Sequence, residues 1–296
     1  MALAEGQIQI VSDYRDLVMG EGTRFDLQNE VNPFIKQVRA DQTGPRAWAH
    51  GSYSGAEWQS EAVVPVRVIA NGSSKDVPST RAAVMDMSAA FSAVGDTGEV
   101  AQFRFRLDGD PEEYVMFGTP RGFEPDLSTM AEGWVYASAS FVAQDPRIYS
   151  SAVQETAIGL PVQTGGLTAP LTAPFTVSGV LTGGRAILTN TGSTATSATF
   201  RIDGPAVEPR IVLTGPNGIA QAIDFNLTLA EGQWLEIDST TRLALLNGLD
   251  GSNQRGRAHW TMDTYPLAPG PTTLRFFAAD SSTGALLTVQ WRHASM

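Results

Sequence analysis

Ala198-Thr-Phe-Arg-Ile202, Arg210-Ile-Val-Leu213, Trp234-Leu-Glu-Ile237, Thr273-Leu-Arg-Phe-Phe277 and Leu286-Leu-Thr-Val-Gln-Trp291 follow one another through the last third of the chain. Each run is short, and apolar and polar side chains alternate within it. A period of two places one set of side chains on a buried face and the other in water, which is the signature of a half-buried strand. Arg185-Ala-Ile-Leu188 precedes them and no long helical period interrupts them, so residues 185–296 are expected to form a β-sandwich domain.

Upstream, Gly159 to Gly184 is rich in Gly, Pro, Thr and Leu, and the tetrapeptide Leu-Thr-Ala-Pro occurs twice in succession at Leu167 and Leu171. Proline fixes φ and removes a backbone donor, so residues 159–184 read as an extended connector marking a domain boundary. Residues 1–158 then form the first domain. It too is rich in alternating runs, among them Val63-Val-Pro-Val-Arg-Val-Ile69 and Gly133-Trp-Val-Tyr-Ala-Ser-Ala-Ser-Phe-Val142. Gln102-Phe-Arg-Phe-Arg-Leu107 and Glu113-Tyr-Val-Met-Phe117 flank Asp108-Gly109, a dipeptide suited to a tight turn, and predict a hairpin. One segment departs from this pattern: Ala83, Val84, Met87, Ala90, Phe91 and Val94 recur at helical spacing behind a Pro-Ser start, predicting a helix near 79–94 that Gly95 stops. The fold class expected is therefore mostly β with a minor α+β part.

The composition, 42% hydrophobic and 17% charged over 296 residues, supports real cores and two domains of ordinary size. The absence of cysteine removes disulfides, thiolate nucleophiles and cysteine metal sites. The net charge of −11 opposes binding to nucleic acid and anionic lipid, and it is unevenly spread. Residues 1–150 carry 12 basic and 21 acidic groups, whereas residues 151–296 carry 8 and 10. Met1-Ala-Leu-Ala-Glu-Gly-Gln-Ile-Gln-Ile10 lacks the basic and apolar regions of a signal peptide, and no stretch approaches a membrane span, so synthesis and assembly in a cytoplasm are expected, with no membrane partner.

Several C-terminal pieces occur in a telling order. They are Thr199-Phe-Arg-Ile-Asp-Gly204, Pro209-Arg-Ile-Val-Leu-Thr214, Leu229-Ala-Glu-Gly-Gln-Trp-Leu-Glu-Ile-Asp238, Leu246-Asn-Gly248, Tyr265-Pro-Leu-Ala-Pro-Gly270 and Val289-Gln-Trp-Arg292. In this order the chain resembles the distal tail, or Dit, proteins of siphophages. Phe141-Val-Ala-Gln-Asp-Pro-Arg-Ile-Tyr-Ser150 is similar to the segment closing the N-terminal ring domain in actinobacterial-phage relatives, whereas residues 1–59 match no motif of the family. The motif positions are Gly204, Gly232, Asp238, Asn247, Gly248, Pro269, Gly270 and Trp291. Physically they need no function: glycine and Asn-Gly serve turns, and proline pre-sets φ.

The resemblance implies an N-terminal ring (hub) domain and a galectin-like outer sandwich, in a structural baseplate subunit at the virion tail tip. It implies a ring of six copies joining the tail tube protein to the tail-tip, tail-associated and receptor-binding proteins, with DNA passing through without specific binding.

No chemistry competes strongly with this expectation. His50, His259 and His293 are isolated in sequence and lack zinc-helix spacing. No nucleophile elbow, Walker loop or dinucleotide fingerprint is present, so no catalytic residue, metal ligand or cofactor is expected, and the chain reads as a non-enzyme. A glycosidase would need a carboxylate pair in a cleft, which no motif offers. Asp108, Asp110, Glu112 and Glu113 could hold calcium, although a hairpin turn with solvated charges explains them more simply. The alternative to a structural role is a carbohydrate-binding module, with Trp234, Trp260, Trp291 and Phe276 as stacking candidates. Their alternating strand positions equally suit a sandwich core.

Overall fold

The computed structural model describes residues 2–12, 16–28, 31–35, 37–40, 43–74, 76–92, 100–164, 180–249, 251–280 and 284–296. The chain divides into two compact units, the first ending at Ser151 and the second starting at Ala152. Both are β-rich, as expected, and the first carries the helix.

In the first unit, the strands Asp16–Met19, Ile8–Val11, Ala101–Phe105, Tyr114–Asp126, Trp134–Ala143, Ala62–Asn71 and Phe25–Leu27 lie side by side in that order. Ile148–Ser150 adds to Tyr114 and Val115. The two edge strands of the order are consecutive in the chain, and the Gly20 N–H donates to the Phe25 carbonyl at 2.8 Å, so the sheet curls almost to closure. Curling protects strand edges that would otherwise present unpaired backbone groups. Along Ala62–Asn71, Ala62, Val64, Val66, Val68 and Ala70 are buried while their neighbours are exposed or half-exposed. Pro65 faces Ser140 on one side, while the other neighbour pairs only with Val68 to Ala70, so on that side proline's missing N–H has no ladder to break. The expected hairpin is present, with Phe105 opposite Tyr114 and Gly109 at φ +75° in its turn.

The helix spans Val77–Ala90. It starts two residues before the expected position because Asp76 caps it, its side chain accepting from the Ser79 N–H at 2.8 Å, and Pro78 sits in the first turn. Phe91 caps its C-terminus; Val94 and Gly95, the expected end, lie outside the described residues. Ala83, Val84, Met87, Ala90 and Phe91 are buried in the core with Phe103, Phe105 and Phe141, and Phe91 stacks on Phe123 at 6.1 Å. Arg24 pairs with Asp86, tying the helix to the turn before Phe25.

The second unit contains two antiparallel sheets of five strands each. The first runs Gln154–Gly159, Leu286–Trp291, Ala198–Asp203, Trp234–Asp238, Leu243–Leu246; the second runs Arg185–Asn190, Gly270–Phe277, Arg210–Thr214, Ala220–Phe225, Ala258–Trp260. Phe200, Ile202, Leu235, Ile237 and Leu287 from one sheet share a core with Ile211, Leu213, Ile223, Leu274 and Phe276 from the other, making a sandwich. Each such side chain contributes about 1.5–3 kcal/mol by leaving water.

Two boundaries differ from the sequence reading. Gln154–Gly159, read as the end of the first domain, pairs with Leu286–Trp291 along its whole length and belongs to the second unit. The segment 159–184 does not join the units. Val162–Thr164 pairs with Val180–Thr182, and the Gly184 N–H donates to the Gly159 carbonyl at 3.1 Å, so both ends are held within the second unit. The intervening residues 165–179, which include the repeated Leu-Thr-Ala-Pro, lie outside the described residues. Proline content flagged a break in the strand pattern without revealing that Val162–Thr164 pairs back with Val180–Thr182.

Candidate functional site

The family-motif positions act as turns and core. Gly204 ends its strand with its N–H on the Gln233 carbonyl at 2.8 Å, and a Cβ there would run into the Ala230 carbonyl oxygen, which explains glycine. Gly232 has φ +80° in the facing turn, where the Gln233 side chain accepts from the Ala230 N–H at 2.9 Å. Asn247, at φ +53°, accepts from the Trp234 N–H at 3.0 Å and donates its own N–H to the Trp234 carbonyl at 2.8 Å, with Gly248 following at φ +64°. These four residues thus gather at one end of the first sheet. Asp238 lies at the other end of its strand, accepting from the Thr240 N–H at 2.7 Å and the Thr241 hydroxyl at 3.0 Å. Pro269 precedes Gly270, whose φ of +97° opens the strand Gly270–Phe277. Trp291 is buried, and its Nε1–H donates across the sandwich to the Thr189 carbonyl at 3.1 Å.

The stacking candidates are either buried or carry a guanidinium over one ring face. Phe276 and Trp291 are core residues. Trp234 carries the Arg201 guanidinium over its ring at 4.7 Å, held in place by a fork onto Asp203 at 2.8 and 3.0 Å. That hydrogen bonding raises the already high pKa of Arg201. Trp260 is covered similarly by Arg255 at 4.9 Å, and its Nε1–H donates to the Met262 carbonyl at 2.8 Å.

The three histidines occupy separate places. His50 is exposed, His259 Nδ1 lies 3.6 Å from Asp224, and His293 Nδ1 accepts from the Thr191 N–H at 3.2 Å. The acidic turn is used internally: Asp110 accepts from the Glu112 N–H and the Tyr114 hydroxyl, both at 2.9 Å, while Glu113 accepts from the Leu3 N–H at 2.6 Å and Arg104 at 2.7 Å. Burial, followed by the bond to Asp110, pushes the Tyr114 phenol up to about 12. Among the described residues, no group of three or more carboxylates and histidines converges as a metal site.

The most distinctive surface lies in the part of the sequence that matched no motif. Val38–Ala40 pairs with Glu57–Gln59, and Gly44–Pro45 pairs with Ser52–Tyr53 in the same register, forming one β-hairpin arm. The arm turns at Arg46 to Gly51, where the Arg46 N–H meets the Gly51 carbonyl at 3.1 Å. Trp48 sits there at φ +61°, wholly exposed; Tyr53 and Trp58 are 63% and 60% exposed. Isolated exposed apolar residues are unremarkable, whereas several exposed aromatics on one hairpin are of the composition found at interaction surfaces. Gly44-Pro45 and Gly51 were the available turn signals.

No family model and no curated protein matches the chain. Solved structures do. The chain is similar in fold to the Dit (gp 19.1) protein of phage SPP1, described as a paradigm of the hub adsorption apparatus in phages infecting Gram-positive hosts, with a TM-score of 0.55, 12% identity and coverage of 96% of this chain and 98% of that one. It is also similar to a chain of the phage P2 baseplate in its activated conformation with Ca, with a TM-score of 0.56, 11% identity and coverage of 96% and 97%. The same baseplate with Sr gives a TM-score of 0.55 at 11% identity.

Proposed function

We propose that this chain is a structural subunit of a bacteriophage tail, located at the tail tip, where copies form a ring joining the tail tube to the host-recognition proteins. The observation that carries this reading is the likeness to the SPP1 Dit protein and to a chain of the phage P2 baseplate over nearly the whole length of both partners, so that both units, and not one common sandwich, find counterparts. Fold alone does not confer function. Here it joins a surface suited to assembly, with exposed aromatics on a hairpin and motif residues spent on turns and core. In the ring, the first unit walls the channel. Residues 1–150 hold nearly all the excess negative charge, and an acidic lumen repels DNA, letting it slide without sticking. The role is mechanical, requiring neither catalysis nor a cofactor.

Labelling intact virions with a gold-tagged antibody against this chain tests the location. Gold confined to the free end of the tail is expected; gold along the tail shaft or on the head would refute the assignment.

A further inference from the structure

We propose that the outer face of the second sheet of the sandwich binds a polyol-phosphate polymer, a thin polyanion in which phosphate groups alternate with hydroxylated carbon chains. The binding rests on that face alone. Its use, as a contact between the tail tip and an anionic polymer of the host surface, rests on the function proposed above.

The cations of this face are scattered in sequence and gathered by register. Leu188, Leu274, Ile211 and Ile223 fill the core between the sheets, so alternation turns Arg185, Arg275, Arg210 and Asp224 outward. Arg185 lies opposite Arg275, Arg210 opposite Phe277 on one side and Asp224 on the other, and Asp224 opposite His259. Arg210 donates to Asp224 at 2.7 Å. Arg185 and Arg275 are exposed and have no carboxylate partner among the described residues. Like charges directly opposite on neighbouring strands repel and weaken a sheet, and this chain of 31 acidic and 20 basic residues nevertheless sets two arginines there. A groove of about 430 Å³ continues the face, lined by Arg210, Arg257, Asn226 and His259 with Glu208 and Asp224. The outer face of the first sheet has the opposite sign: Glu155, Asp203, Glu236 and Asp238 share it with Arg201.

Charge and shape together select the occupant. A guanidinium presents a planar fork that matches phosphate, and two of them on strands roughly 4.8 Å apart can share one phosphoryl group. Phe277, 38% exposed, and the half-buried Val212 lie beside the arginines and give apolar surface to the C–H faces of a polyol. Asn226 and Glu208 in the groove suit its hydroxyls, as acceptors and, for the amide, as a donor. Duplex DNA is a poorer match. It is broad and carries one charge per ~1.7 Å of axis, so the acidic remainder of the chain repels it, whereas a thin polymer confined to this face is screened from charges beyond about 8 Å.

Titrating the full chain into a fluorescently labelled glycerol-phosphate polymer, with anisotropy as the readout, tests the proposal. Saturable binding is expected, weakened about tenfold by Arg275→Gln and by Arg185→Gln, and unchanged by Arg201→Gln on the opposite face. Arg275→Gln also relieves the like-charge pair, so the second unit's melting temperature should hold or rise, which separates lost binding from lost folding. No binding, or the same loss with Arg201→Gln as with Arg275→Gln, overturns the proposal. Poly-glutamate and a short DNA duplex serve as competitors. Displacement of the polymer by poly-glutamate at the lower concentration would make the face a site for an acidic protein, and displacement by the duplex a site for nucleic acid; either result contradicts the polymer. The tail reading fails separately: gold at the tail tip without polymer binding keeps that reading and refutes this one, whereas polymer binding with gold elsewhere on the particle does the reverse.

Discussion

The two units bury their apolar residues by different means and expose different surfaces. The first wraps one sheet almost onto itself and plugs it with a helix; the second closes two flat layers on each other. Among the described residues, the large aromatics left exposed in the first unit are Phe34, Trp48, Tyr53, Trp58 and Tyr136, four of them between residues 34 and 58. In the second, Phe277 stands alone among scattered aliphatics. Charge divides the same way. The lesson is that exposed aromatics and excess negative charge are concentrated in the unit whose sequence carried the fewest family motifs, while those motifs serve the internal architecture of the other.

If the units are independent, damage to one core stays in that unit. Phe200→Ala removes a fully buried ring between the sheets and should cost about 3–5 kcal/mol. Calorimetry of the full chain should show the second unit's transition fall sharply while the first unit's stays in place, and Phe141→Ala should produce the mirror image. A common shift of both transitions would break the comparison. Gly204→Ala forces a methyl group against the Ala230 carbonyl and should cost about 1–3 kcal/mol, confined to the second unit. Trp291→Phe keeps most of the packing and loses the bond to Thr189 across the sandwich, so about 1 kcal/mol is expected in denaturant unfolding.

Acid sharpens the contrast from the first unit's side. Hydrogen bonds from Ser79 hold the Asp76 carboxyl below its ordinary value, and those from Ser128 do the same for Asp126. A depressed folded-state pKa contributes stability that is present above the ordinary carboxylate range and is lost as pH falls through the folded value. Thermal scans should therefore show Asp76→Asn, which caps without titrating, losing less of its first-unit melting temperature than the unmodified chain below that range, and matching its pH slope above it.

A smaller effect probes the corrected boundary. Cleavage at a specific protease site inserted between Thr164 and Val180 should give two bands under denaturing conditions and one species under native ones, because Gln154–Gly159 stays laddered to Leu286–Trp291. Separation of the fragments on a sizing column would restore 159–184 as a connector between domains.

What was legible in the sequence was what alternation and turn chemistry encode locally. The Asp108-Gly109 hairpin, the buried helix face from Ala83 to Phe91, and the sandwich runs at Ala198, Arg210, Trp234, Thr273 and Leu286 all reported a face and a period. Partners were another matter. Nothing in Gln154-Glu-Thr-Ala-Ile-Gly159 states that its neighbour is the last long strand, since pairing depends on distant residues. Ala220–Phe225 and Ala258–Trp260 escaped notice because Ala and Gln weaken the one and the other is only three residues long. The arm was opaque for a deeper reason. Its Trp and Tyr residues face water in the single chain, against the rule by which apolar residues are read.

The central claim, that copies of this chain form the hub ring of a phage tail, is tested most directly by a cryo-electron microscopic reconstruction of the tail tip with this chain traced in it. The account predicts a closed cyclic arrangement at the end of the tail tube, with the lumen walled by residues up to Ser151 and the sandwich from Ala152 outside it. A non-cyclic arrangement, or a lumen walled mainly by the second unit, would contradict it.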